Sequence, residues 1–178
     1  MGSDQPTATD CQRAAIVTDT NVLINLLHIG QLPLLGVLEP YQFLAPEEVL
    51  GEMIDPAQRE ETDAAICRGD LSLLDIDSVE YLALFSELRD VMGRGEAACL
   101  ALAKTKRWHI ASDEKKCFRR RAIEWIGKER ILRTELILLE AIRFDCITVP
   151  EADGFKAVLE AKRYSMPFKS FADLLGGL

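Results

Sequence analysis

Short apolar runs alternate along this chain with longer stretches in which apolar residues recur every three or four positions. The runs predict buried strands, and the recurring pattern predicts helices that bury one face. Residues 13–20 (RAAIVTDT) form a run that closes in polar residues, and so read as a first strand. Residues 21–30 (NVLINLLHIG) have helical spacing, with Gly30 as a stop. A short helix is expected over 32–40, and a strand over 41–46 (YQFLAP). The next helix starts at Glu47, with Pro46 suited to its first turn. Residues 56–69 are polar with a helical pattern that Gly69 closes. Residues 71–77 read as a strand, and Ser78 as the cap of a helix over 79–92. Gly93 and Gly95 suggest a hinge before an apolar helix over 96–107. Residues 108–113 (WHIASD) read as a strand and 114–127 as a helix. A last strand is expected over 129–134 and a further helix over 135–146. Pro150 is expected to break the chain before a helix over 152–166, and residues 168–178 to end it as a short helix. Strands alternating with helices argue for a parallel α/β sheet covered on both faces.

The 178 residues suffice for one domain with a sizeable core, and 48% of them are hydrophobic. The polar residues 1–12 read as a disordered tail without the apolar core of a secretory signal. No apolar run approaches the roughly 20 residues that cross a bilayer. Five scattered cysteines with no CxxC read as reduced thiols, mostly core filler, in a cytoplasmic protein. The formal net charge of −8 sits poorly with a polyanion partner at first sight. The positive charge is clustered, however. Lys115, Lys116, Arg119, Arg120 and Arg121 follow Asp113, and Lys156, Lys162, Arg163 and Lys169 lie near the C-terminus. A solvated helix face is the plain alternative for either cluster.

Ligands of open parallel sheets bind beyond the carboxyl ends of the strands. Asp19 closes the first strand there, and Asp113 closes WHIASD. Glu96 follows the two glycines, and Glu52 lies in APEEVLGEMI. Crowded carboxylates repel one another, and a hard divalent cation such as Mg²⁺ or Mn²⁺ relieves that repulsion. Alone, Asp19 or Asp113 would read as a helix cap. Taken with Glu96, they favour metal binding. His28 and His109, the only histidines, read as structural, and the tryptophans as core. Tyr164 and Phe168, beside basic residues, are the better candidates for stacking on bases. The apolar helices of residues 21–38 offer a dimer face.

The segments DTNVLI, PEEVLGEM, GRGEAACLALA and IASDEKK, in this order and spacing, resemble those of the PIN-domain nucleases over residues 13–147. The resemblance implies a three-layer α/β/α sandwich with a central, mainly parallel sheet, spanning residues 13–149. Residues 150–178 would form a helical extension packed on the domain or a partner. It implies a metal-dependent ribonuclease, and many members are toxins of toxin–antitoxin pairs. The family's acids fall on Asp19, Glu52, Glu96 and Asp113, the second through the pattern Pro46-x-x-Val49-x-x-Glu52. Asn21 and Ser112 match polar residues that accompany the first and last acids. On this reading Asp19, Glu96 and Asp113 hold one Mg²⁺ or Mn²⁺, with Glu52 reaching it directly or through water. Asn21 and Ser112 orient ligands, and Lys116 and Arg119 contact the RNA backbone. Glu114 is followed by two lysines, so no fifth acid is expected there. An RNA substrate, an antitoxin protein and a second copy in a homodimer are the implied partners. The alternative is a PIN-like module that binds RNA or protein without cutting. A haloacid-dehalogenase-type phosphoryl-transfer site would want an Asp two residues after Asp19, where Asn21 stands.

Overall fold

The computed structural model describes residues 13–75, 78–115 and 117–176; the expected tail over 1–12 and the basic residue Lys116 lie outside them. Five strands form one sheet: β1 (Ala14–Thr18), β2 (Tyr41–Pro46), β3 (Ser72–Leu74), β4 (His109–Ala111) and β5 (Ile131–Leu132). Their order is β3-β2-β1-β4-β5, and every neighbouring pair is parallel. The chain therefore winds one way from β1 to β3 and the other way from β4 to β5. Loops at the carboxyl ends of β1 and β4 diverge at this switch, which leaves a crevice.

Helices cover both faces. Helix α6 (Arg94–Lys106) lies against β1, β2 and β4, with α3 (Glu47–Gly51), α5 (Val79–Arg89) and α7 (Cys117–Ile126) beside it. Every residue from Ala97 to Ala103 is buried. A helix apolar all round, built largely of alanine, can lie close to a sheet while other helices cover its outer side. Helix α1 (Thr20–His28) leads the second group, with α4 (Pro56–Arg68), α8 (Thr134–Arg143) and α9 (Val149–Ala161). The short helices α2 (Leu34–Val37) and α10 (Ala172–Leu175) complete the described elements. Val22, Leu23, Leu26, Leu34 and Leu35 are buried in the chain's own core, and Val37 of the same segment stands exposed.

Several local expectations change. Pro150 does not break the chain before a helix. It lies in the first turn of α9, where a missing N–H costs nothing, and Thr148 and Glu151 form a capping box around it. The glycine pair is no hinge either: Gly93 caps α6, and Gly95 is buried in its first turn. Of the four described cysteines only Cys99 is buried; Cys67 and Cys117 stand exposed on α4 and α7. The C-terminal segment packs back on the domain, with α9 against α1 and α8 and with Phe171 fully buried.

Candidate metal centre

Register decides which acids meet. Thr18 of β1 pairs with Ala111 of β4, so Asp19 comes level with Ser112. The Asp19 N–H donates to the Ala111 carbonyl at 2.9 Å, which continues the pairing one residue past the strand. Successive side chains on a strand point to opposite faces. Asp19 and Ser112 therefore share one face, and Asp113 faces the other way. The Ser112 hydroxyl donates to Asp19 Oδ2 at 3.2 Å. The backbone N–H of Glu114 donates to the same hydroxyl at 3.2 Å, which brings Glu114 back to the Asp19 side.

Asp19 caps α1, accepting from Thr20 N at 2.8 Å, so the cap reading and the site reading hold together. Its carboxyl is only 2% exposed. Burial raises its pKa to about 7 against the opposing bond from Thr20, and Glu96 and Glu114 add like charge. Glu96 is the third residue of α6 and accepts from Gly93 N at 3.1 Å. Its pKa is also raised, first by burial and then by Glu114 and Glu52. Asn21 donates to Glu114 Oε1. No basic side chain pairs with Asp19, Glu96 or Glu114 among the described residues.

Glu52 ends α3 and is held from two sides. Gly95 N donates to Oε1 at 2.6 Å, and Thr20 Oγ1 donates to Oε2 at 2.9 Å. A Cβ on Gly95 would stand 2.5 Å from a Glu52 carboxylate oxygen, so the residue there must be small. The charge rests on the N-terminus of α6, where backbone N–H groups favour an anion.

Asp113 occupies a different environment. Oδ1 accepts from Thr134 N at 2.9 Å and from the Tyr164 hydroxyl at 2.5 Å. Oδ2 accepts from Asn25 Nδ2 at 2.8 Å and from Thr134 Oγ1. Four donors fill the four acceptor places of a carboxylate. Arg133 Nε lies 3.8 Å away and lends it a cation that it shares with Glu135. Arg133 also pairs with Glu135 at 2.5 Å, and the Tyr164 hydroxyl shares its single proton between Asp113 and Glu135. The Asp113 carboxylate, expected as a ligand, is thus saturated by protein groups on the face away from Asp19. Tyr164, expected as a base-stacking residue, is a half-buried tie: burial first, then Asp113 and Glu135, raise its pKa and keep the hydroxyl protonated. Phe168, half-buried, packs edge-on against the buried Phe171 at 4.9 Å.

Of the residues expected at the site, Asp19, Glu52, Glu96, Asn21 and Ser112 gather at the crevice. Arg119 lies half-buried on α7, and Lys116 is outside the described residues. Asn25, Thr134 and Arg133 were missed, Tyr164 was given another role, and Glu114, set aside from sequence, stands on the Asp19 side. A signal existed for two of them. Asn25 stands four residues after Asn21 on an apolar helix, and Thr134 closes the last strand as Asp19 closes the first. His28 and His109 have lowered pKa values, chiefly through burial, and sit apart from these acids.

Four carboxyl groups near the crevice, Asp19, Glu52, Glu96 and Glu114, are the donor chemistry of a hard cation, although no three of the described side chains stand close enough to enclose an ion. No described helix is long and apolar enough to cross a membrane. No curated protein matches the chain. A family model described as a PIN domain matches residues 15–152.

Proposed function

Because the chain belongs to the PIN-domain family, we propose that it is a divalent-metal-dependent endoribonuclease, hydrolysing RNA phosphodiester bonds with Mg²⁺ or Mn²⁺. One observation carries this reading: Asp19 is a buried carboxylate flanked by Glu96 and Glu114, with no cationic partner among the described residues. Burial of like charges without compensation is costly, and a bound cation offsets that cost.

Asp19, Glu96 and Glu114 would hold the ion, with Glu52 close enough to reach it through water. Asp113, placed among the ligands from sequence, becomes a buttress on this reading. Bound there, a divalent ion lowers the pKa of a coordinated water and offsets charge on the phosphate oxygens. The chain's own residues do the positioning. Ser112 directs one oxygen of Asp19 and leaves its remaining lone pairs open. Asn21 orients Glu114. Gly95 and Thr20 fix Glu52, so that its charge neither drifts nor collapses onto Asp19. The basic residues of α7 would receive the RNA backbone, a contact that supplies affinity rather than sequence choice. We further propose the toxin role common in the family, with an antitoxin protein and a second copy of the chain as partners. Growth arrest on expression, relieved by Asp19→Ala, is its test.

The nuclease test is Mn²⁺-dependent cleavage of a mixed RNA pool by the wild-type chain and by Asp19→Asn prepared in parallel. Cleavage lost in the variant and abolished by a chelator is expected. Equal cleavage by both proteins would assign the activity to a contaminant, and cleavage by neither would favour a binding module.

A further inference from the structure

At the amino end of the sheet, where α6 leads into β4, the surface opens into a cavity of about 630 Å³. Glu80, Lys104, Thr105, Arg107, Trp125 and Arg130 line it. Lys104 stands eight residues after Glu96 on α6, about 12 Å along the axis, so the cavity lies apart from the acid cluster. Lys104, Arg107 and Arg130 form no ion pair among the described residues. Glu80 offsets one of the three charges, and Glu129 turns its carboxylate over Gly127 outside the lining. The cavity is thus left positive in a chain that carries −8. Two of its cations are fixed in place. Lys104 Nζ donates to the Trp125 carbonyl at 3.3 Å and lies 5.9 Å from the centroid of the Trp125 ring. Arg130 Nε donates to the Ile126 carbonyl.

Cations at the carbonyl end of a helix are favourable in themselves, which is the plain reading for Lys104 and Arg130 at the end of α7. It uses one N–H of each. The other donors of Lys104, the terminal nitrogens of Arg130 and the whole guanidinium of Arg107 have no hydrogen-bond partner among the described residues. Arg107 also ends α6 in the left-handed region, at φ 57, where glycine would stand at lower cost. The arginine in that place holds a third cation at the cavity. The volume is that of a small-ligand site. Trp125 is the one aromatic residue of the lining, and its ring already meets Lys104 and Arg121, which leaves a base little to stack on. The ligand that suits this lining is compact, multiply anionic and without a large flat part. We propose that the cavity binds a short chain of linked phosphate groups, either an inorganic oligophosphate or the phosphate tail of a nucleotide. Arg107 and Arg130 grip the phosphate oxygens with their planar forks, and Lys104 adds a point charge. The site is independent of the acid cluster and of RNA cleavage.

Titration calorimetry of tripolyphosphate into the metal-free full chain tests this. Saturable binding at one site is expected, with a rise in melting temperature. Arg107→Asn removes the charge and keeps a residue that accepts the left-handed backbone. It should weaken binding about tenfold and leave the melting temperature of the free protein unchanged. Glu80→Gln should tighten binding, because it removes the one carboxylate of the lining; a damaged fold would not give that sign. Arg120→Gln, in the basic cluster that follows Asp113, should leave the affinity where it is. A nucleoside triphosphate that binds as tightly as tripolyphosphate supports the site and identifies a nucleotide tail as its ligand. One that binds far more weakly supports the site and identifies the inorganic chain. No saturable binding, or inorganic phosphate bound as tightly as tripolyphosphate, would overturn the proposal. So would an affinity that follows Arg120→Gln and ignores Arg107→Asn. Tighter binding of a single-stranded oligoribonucleotide, lost in Arg107→Asn, would overturn it too and make the surface a path for RNA.

Discussion

The Tyr164 hydroxyl donates to Asp113 Oδ1 at 2.5 Å, joining the C-terminal segment to the end of β4 across 51 positions of sequence. The same hydroxyl serves Glu135, and the Arg133 guanidinium lies over the Tyr164 ring at 5.6 Å. Two buried carboxylates, one cation and one phenol thus close a compact network around the start of α8.

Removing the hydroxyl leaves two acceptors in a poorly solvated place. Tyr164→Phe is expected to destabilise the protein by about 1–3 kcal/mol. Urea denaturation compares the variant with wild type. A change within experimental error would mean that water replaces the hydroxyl without cost.

The assignment of Glu114 over Asp113 has a direct readout. Titration calorimetry with Mn²⁺ should show Glu114→Gln binding the ion about tenfold or more weakly, since outer groups alone can cost that much. Asp113→Asn should lose stability, because an amide meets donors at Thr134, Asn25 and Tyr164 where an acceptor is needed. Its manganese affinity should remain near that of wild type. The reverse pattern would restore Asp113 as a ligand.

Stability should depend on pH through Asp19. Its carboxyl has a folded pKa of about 7, above the ordinary aspartate value of 3.8, so between these limits the folded state binds the extra proton. Stability is therefore greatest below about pH 4, as far as this group is concerned, and declines as pH rises to about 7. The full contribution is about 4 kcal/mol. Denaturant melts of metal-free protein at pH 5 and pH 8 should differ by about 2–3 kcal/mol of it. Asp19→Asn should flatten the decline, and so should saturating Mn²⁺ in the wild type. A wild-type curve that rises over this range would contradict the burial argument.

Gly95→Ala tests the seat of Glu52. The added methyl meets the carboxylate at 2.5 Å, and the flexible side chain yields before the backbone does. A small stability change is expected, about 1 kcal/mol, with a larger fall in RNA cleavage. Circular dichroism melts and initial rates on one RNA give the two numbers. A rate equal to wild type would show that the position of Glu52 is immaterial to the reaction.

Much of the candidate site was legible because its residues carry local signals. Asp19 ends an apolar run, Glu96 opens an apolar helix, and Glu52 follows a proline-started turn. Asp113 carried the same signal as Asp19, yet its carboxylate accepts from Thr134, Asn25 and Tyr164 instead of facing Asp19. Both stand at strand ends, but nothing in their immediate neighbours tells which face each side chain takes. Tyr164 was beyond reach for a different reason. Its partners lie 51 and 29 positions away, and its basic neighbours suggested a surface role. The alternation of strand and helix, five parallel strands and the cap at Ser78 were all readable from periodicity and capping residues.

The sequence by itself determined the elements, their order and the set of acids, because these follow from short-range patterns of burial and capping. Only the tertiary structure decided which acids meet. Pairing of Thr18 with Ala111 sets Asp19 beside Ser112, and the two-residue period of a strand then sends Asp113 to one face and Glu114 to the other. A register shift of one residue would exchange their roles. That register is a property of two strands separated by about ninety residues of chain, and it is fixed by how the whole sheet buries its faces.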